Sequence, residues 1–228
     1  MKPHIICHMA ASVDGRTLLD RWHPDDAIDP RHFERIHREL GGDAWLVGRV
    51  TAEEFAWGAP YPTRTDEKFS RTTWIAGRAD SYAVILDAKG KIAWGRSEID
   101  GDAIIVALTR QVSDAHLAGL RADGVSYCFA GDSTLDLVQL AQVLNSDFGI
   151  RRLLLEGGGH ANAAFLEAGL IDELSLIIAP AIDGAPSSPS VFESRSMRPS
   201  LAVQGMSLQS CETLDGGAVW LRYSIVNR

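Results

Sequence analysis

The stretch Leu153-Leu154-Leu155-Glu156-Gly157-Gly158-Gly159-His160 runs from an apolar strand, through three consecutive glycines, into the amphipathic segment 161–168. Strand, tight turn and helix in that order are the unit from which α/β layers are built. Glycines let the backbone approach a ligand closely, and the first amides of the following helix carry a partial positive charge, so such a turn suits a pyrophosphate. The pattern is not the G-x-G-x-x-G dinucleotide fingerprint, because Asn162 stands where its last glycine would be. A plain flexible turn fits the composition equally well.

The same alternation extends in both directions. A strand is predicted over 5–10 and a helix over 30–40, where Asp29 caps the free amides, Pro30 suits the first helical position and Gly41-Gly42 ends the helix. Phe33, Ile36 and Leu40 form its expected buried stripe. A strand over 44–47 leads through Gly48-Arg49-Val50 to a short helix, for which Thr51 and Glu54 make a capping box. The segment 59–71, rich in Pro, Thr and charge, is read as irregular. Further strands are expected over 82–86, 104–108, 125–129 and 173–179, with helices from Ser113 and over 135–144. Segments 201–208 and 218–226 alternate around Asp215-Gly216-Gly217, as an antiparallel hairpin does. The expectation is one α/β domain over 1–228, with a central mixed, mostly parallel sheet and a C-terminal antiparallel hairpin.

Composition excludes several classes. The 228 residues are 46% hydrophobic and 23% charged, which is ordinary for a globular chain. A net charge of −8 argues against a nucleic-acid scaffold, and no apolar run approaches the roughly 20 residues that cross a bilayer. With no signal-peptide pattern at the N-terminus and three widely spaced cysteines (Cys7, Cys128, Cys211), a cytoplasmic chain without a disulfide framework is expected.

Two more turns carry candidate chemistry. Gly48-Arg49-Val50-Thr51 places a planar, permanently charged guanidinium at a second helix start, suited to a terminal phosphate such as the adenosine 2′-phosphate. A solvated arginine beside an ordinary cap is the bland alternative. After the first strand, Ala10-Ala11-Ser12-Val13-Asp14-Gly15-Arg16 leaves room for a flat ligand. There Asp14 binds an amino-substituted heterocycle, or delivers a proton if burial raises its pKa; Asp-Gly is also a simple turn signal.

Taken in order, Ser12-Val13-Asp14-Gly15-Arg16, Val47-Gly48-Arg49-Val50-Thr51 and Leu155-Glu156-Gly157-Gly158-Gly159, with Leu170-Ile171-Asp172-Glu173-Leu174 and Ala179-Pro180, resemble the reductase domain of riboflavin biosynthesis, the RibD C-terminal type. The resemblance implies a dihydrofolate-reductase-like three-layer fold and a homodimeric, NADPH-dependent reductase of a pyrimidine or pterin-like small molecule. It places Gly48, Arg49 and Thr51 at the adenosine and phosphate side of the cofactor and Gly157, Gly158 and Gly159 at its pyrophosphate or nicotinamide side. Ser12 and Asp14 face the substrate, Asp14 as proton donor, and Glu156 orients the nicotinamide amide or the substrate.

The chain departs from that family at two places. His8 stands where an early lysine is usual, and 52–64 replaces a D-D-P-x-L-T-x-R segment, which leaves Arg64 and Arg71 as other cations for a phosphate. A dihydrofolate or other pterin reductase is therefore the alternative within the fold, and a non-catalytic nucleotide- or flavin-binding module the alternative of another class. No deaminase zinc signature is present, and His32 and His37, five apart, point about 140° away from each other on a helix and share no metal. His8 with Ser12 lacks the G-x-S-x-G elbow of a hydrolase, so His8 is read as a hydrogen-bonded structural residue. Trp22 and Trp57 are candidate walls of the substrate site.

Overall fold

A computed structural model describes residues 1–17, 29–194 and 203–226. Trp22 lies outside them, as do the first residues of the predicted 201–208 strand. The chain divides into two compact units, one made of residues 1–3 and 43–153, the other of 4–42 and 154–228.

In the first unit, β2 (Ala44–Gly48), β3 (Tyr82–Leu86) and β5 (Asp102–Leu108) pair in parallel. One flank of β5 is shared: β4 (Glu98–Ile99) pairs antiparallel with its start and β6 (Ser126–Phe129) parallel with its end. The two-residue β4 is too short to show a period and was not legible in the sequence. Helices α3 (Asp114–Ala122) and α4 (Leu137–Phe148) begin at the side-chain caps Ser113 and Asp136. The predicted capping box at Thr51 does not form. Extended Gly48 is itself the N-cap of α2 (Arg49–Ala52), so Thr51 lies inside the first turn of the helix rather than ahead of it. Segment 56–81 contains no helix or strand.

In the second unit, β1 (His4–Ala11) runs parallel to β8 (Glu173–Ile178), which continues antiparallel to β10 (Val219–Ile225) and on to β9 (Met206–Thr213). The expected hairpin is there, turning through positive-φ Gly216 and Gly217, but its first strand is displaced from the predicted 201–208: residues 203–205 are not strand and the pairing runs on to Thr213. Helix α1 (Pro30–Leu40) has the predicted Asp29 cap and ends on left-handed Gly41. Its buried face is His32, Ile36 and Leu40; Phe33 is half-buried and stacks on His8, with ring centroids 4.2 Å apart. Helix α5 (Gly159–Glu167) follows β7 (Arg152–Leu155), the strand along which the chain passes from the first unit to the second. The α/β class, the mixed and mostly parallel strand pairing and the C-terminal hairpin all agree with the sequence.

Seven of the eight residues of β1 are buried, and among them His8 is fully enclosed. Its polar atoms are satisfied by a relay with a fixed proton order. Trp220 Nε1 donates to Ser175 Oγ at 2.8 Å, so the single hydroxyl proton of Ser175 goes to His8 Nδ1 at 3.1 Å, and His8 Nε2 donates to the Phe33 carbonyl at 3.4 Å. Burial of the imidazole lowers its pKa to about 4, against the backbone of Phe33 and of Ser175, which favours the protonated ring.

Because the folded state disfavours His8 protonation, the unfolded chain takes up the proton first on acidification. The stabilisation is complete above about pH 6.5 and is lost as pH falls from there towards 4. Urea titrations across that window are expected to show stability falling by up to about 3 kcal/mol from this residue, with the fall reduced in His8→Asn.

Candidate active site

The loop after β1 is closed by its own hydrogen bonds. Ser12, 1% exposed, donates its hydroxyl to Asp14 Oδ1 at 2.6 Å and accepts the Arg16 amide at 3.0 Å. The Asp14 carboxylate accepts the amides of Asp183 at 3.1 Å and Gly184 at 2.9 Å, which ties this loop to the one following β8. The Ser12 hydroxyl and these two amides together hold the Asp14 pKa down to about 2. A proton donor needs the opposite shift. Asp14 therefore lacks the raised pKa on which its reading as a proton donor depended: it is an exposed carboxylate that ties two loops together, and Ser12 is its buried partner. Arg16 joins the same clamp, donating from Nη1 to the Ser188 carbonyl at 2.8 Å.

Beyond β7, Glu156 has a side chain only 8% exposed, and its Oε1 lies 2.8 Å from His37 Nδ1 on α1. The glycines that follow serve different ends. Gly158 adopts φ 57°, ψ 134°, a conformation L-residues rarely take, and no atom lies within 4 Å of where its β-carbon would be. It is the N-cap of α5, and no side chain caps the helix. Gly159 is closed off: a β-carbon there would sit 2.3 Å from the Ser190 carbonyl oxygen, and the Glu193 amide donates to the Gly159 carbonyl at 2.9 Å. Buried Gly157 lies between Glu156 and the open turn.

In the first unit, Arg49 does not stand free. Its Nη1 pairs with Glu53 one helical turn on, a surface ion pair worth little. Thr51 is half-buried within α2. Arg71 is bound to Asp114 at 2.6 Å and to the Phe69 and Val112 carbonyls. Trp57 is 72% exposed, with the Arg96 guanidinium over its ring. This unit also contains a cleft of about 530 Å³ with Tyr61, Lys91 and His116 in its lining. Among the described residues, no group of three His, Cys, Asp or Glu is arranged to hold a metal.

Residues 3–219 match the family model described as the RibD C-terminal domain. The chain belongs to this family. Curated relatives of this RibD-type chain include the proteins named 2,5-diamino-6-ribosylamino-4(3H)-pyrimidinone 5′-phosphate reductase of Archaeoglobus fulgidus (24% identical; 86% of this chain, 89% of the relative) and of Methanothermobacter thermautotrophicus (27% identical; 81% of each). Among solved structures, a pyrimidine reductase-like protein from Corynebacterium diphtheriae superposes with a TM-score of 0.73 at 20% identity, covering 99% of this chain and 93% of its own. The riboflavin biosynthesis reductase Rib7 of Saccharomyces superposes with 0.64 at 18% identity, covering 99% and 90%. These likenesses bear out the RibD-type fold.

His37, Asp183 and the 188–193 segment were not singled out from the sequence as partners of the site. Position 37 adjoins the buried Ile36, and that edge-of-stripe placement is the one signal a helical projection offers for it. The two glycines separate experimentally. Gly159→Ala is expected to cost roughly 2–3 kcal/mol in urea unfolding, because backbone must move, whereas Gly158→Ala costs only its dihedral strain, about 1–2 kcal/mol.

Proposed function

We propose that this chain is an NADPH-dependent reductase of a phosphorylated aminopyrimidine, the substrate class named for its curated relatives. The observation that carries the reading is the junction from β7 to α5. A nearly buried carboxylate, Glu156, an open turn at Gly158 and a helix start without a side-chain cap follow one another within a few residues. An anion fits the open turn; it does not fit against Gly159, which Ser190 covers.

NADPH, when bound, supplies the hydride. The chain's own residues bind and orient. Backbone at Gly157 and Gly158 and the first amides of α5 hold a phosphate of the cofactor. Glu156 accepts a hydrogen bond from an amino or hydroxyl group of the pyrimidine substrate or from the nicotinamide amide, and so fixes the ligand against the strand ends. Ser12 and Asp14 shape the substrate side through the loop they clamp to Asp183 and Gly184. Gly48, Arg49 and Thr51 are assigned from their own chemistry to a phosphate, with Arg49 exchanging Glu53 for it.

Titration of NADPH and NADH, followed by nicotinamide fluorescence, is expected to give tighter binding of NADPH. Gly158→Glu, which sets a like charge in the open turn, is expected to weaken NADPH at least tenfold while circular dichroism stays native. Unchanged affinity in that variant rejects the phosphate assignment. Turnover of dihydrofolate in preference to the ribosylated pyrimidinone phosphate rejects the substrate class.

A cytoplasmic setting and a homodimer complete the proposal. The three cysteines are free, Cys7 and Cys128 buried and Cys211 exposed, and no described helix is long and apolar enough to cross a membrane. All eight residues of β9 are exposed, and its stretch 206–211 carries no charge, Lys or Pro to guard an open edge. Sedimentation equilibrium is expected to give twice the 24.8 kDa chain mass; a monomer across the working concentration range rejects the pairing.

A further inference from the structure

Glu156 holds a carboxylate in a sheltered place. A carboxylate left 8% exposed loses most of its hydration, which costs several kcal/mol per ion unless a partner compensates. On neighbouring β1, the Cys7 thiol is driven upward in pKa by burial first and by the Glu156 charge second, so it stays neutral. One partner comes from α1, where His37 Nδ1 meets Glu156 Oε1 at 2.8 Å.

Several features suit His37 to hold that carboxylate. An ionised carboxylate only accepts, so Nδ1 carries the proton. The residue lies in the last turn of α1, where the helix dipole favours a positive imidazole, and the backbone there is pinned by the bond from the Gly41 amide to the His37 carbonyl. At 31% side-chain exposure, His37 is the more accessible member of the pair. The other nearby imidazole, His8, is fully engaged by Ser175 and Phe33 and is neutral near pH 7.

We infer that His37 is the positioning residue of this site: its Nδ1–H fixes the plane and reach of the Glu156 carboxylate, through which it acts on the bound pyrimidine or nicotinamide. This rests on the reading above that Glu156 meets the ligand. It is a hydrogen-bonding task rather than a task of charge alone, so a neutral amide with its donor at the same place should perform it. Asparagine, whose Nδ2 reaches the position of the histidine Nδ1, is such a residue.

The test compares His37→Leu, His37→Asn, Glu156→Gln and the double variant His37→Leu/Glu156→Gln, each assayed for kcat and KM with the ribosylated pyrimidinone phosphate and for NADPH affinity. His37→Leu is expected to lower kcat at least tenfold with the NADPH Kd within twofold, and His37→Asn to return kcat to within threefold of the parent. Adding His37→Leu to Glu156→Gln is expected to cost less than a further twofold, because the residue to be positioned is already altered.

Should His37→Leu fail to fold, nitrogen-15 spectra of the imidazoles decide the point in the intact chain. A protonated Nδ1 on His37 that shifts in Glu156→Gln supports the inference, and an unprotonated Nδ1 overturns it. It is equally overturned by a His37→Leu enzyme within twofold of the parent, by equal losses for Leu and Asn, or by losses that multiply in the double variant. A parent protein that turns over no ribosylated pyrimidinone phosphate overturns the proposed function itself; an active parent with an indifferent His37→Leu overturns only the role of His37.

Discussion

The second unit is organised around the parallel pairing of β1 with β8, which runs from Ile6 opposite Glu173 to Ala11 opposite Ile178. Parallel strands end on the same side, so the loops that leave them meet there. That is why Asp14, three residues beyond β1, reaches the amides of Asp183 and Gly184, a few residues beyond β8. The pairing is secured from within by apolar burial and by the Trp220–Ser175–His8 relay, whose polar atoms would be costly without one another. What these loops hold in place is therefore inherited from the register of the two strands beneath them.

Much of this was legible in the residues. The helix over 30–40 was visible from Asp29, Pro30 and Gly41 because all three act locally, within one turn of the chain, and the structure returns the same bounds. Strand 82–86 was visible because a short apolar run is bounded by turn formers. The short helix after β2 was recognised in kind but misplaced at its start, because Thr51 and Glu54 imitate a capping box while Gly48, with no side chain, is the residue whose extended backbone begins the helix.

The site was legible to a lesser degree, for a physical reason. Residue type announces what a side chain can do, but burial and partners decide what it does. Asp14 is a sound candidate acid by type and position, yet the hydroxyl of neighbouring Ser12 and two amides from the distant 183–184 loop keep it ionised. Glu156 reads from the sequence as a strand-end carboxylate, but its partner His37 is 119 positions away. Long-range pairs of this kind leave no periodicity in a single sequence.

Gly158 and Gly159 adjoin in the chain, yet what forbids a side chain differs between them. At Gly158 the obstacle is handedness: space is open, and the backbone takes the sign of φ natural to a D-amino acid. At Gly159 the obstacle is volume, since a carbonyl oxygen occupies the place of the missing carbon. At the first position a methyl would project into empty space and be resisted by torsion alone. L-alanine at the second would have to push a neighbouring strand of backbone aside.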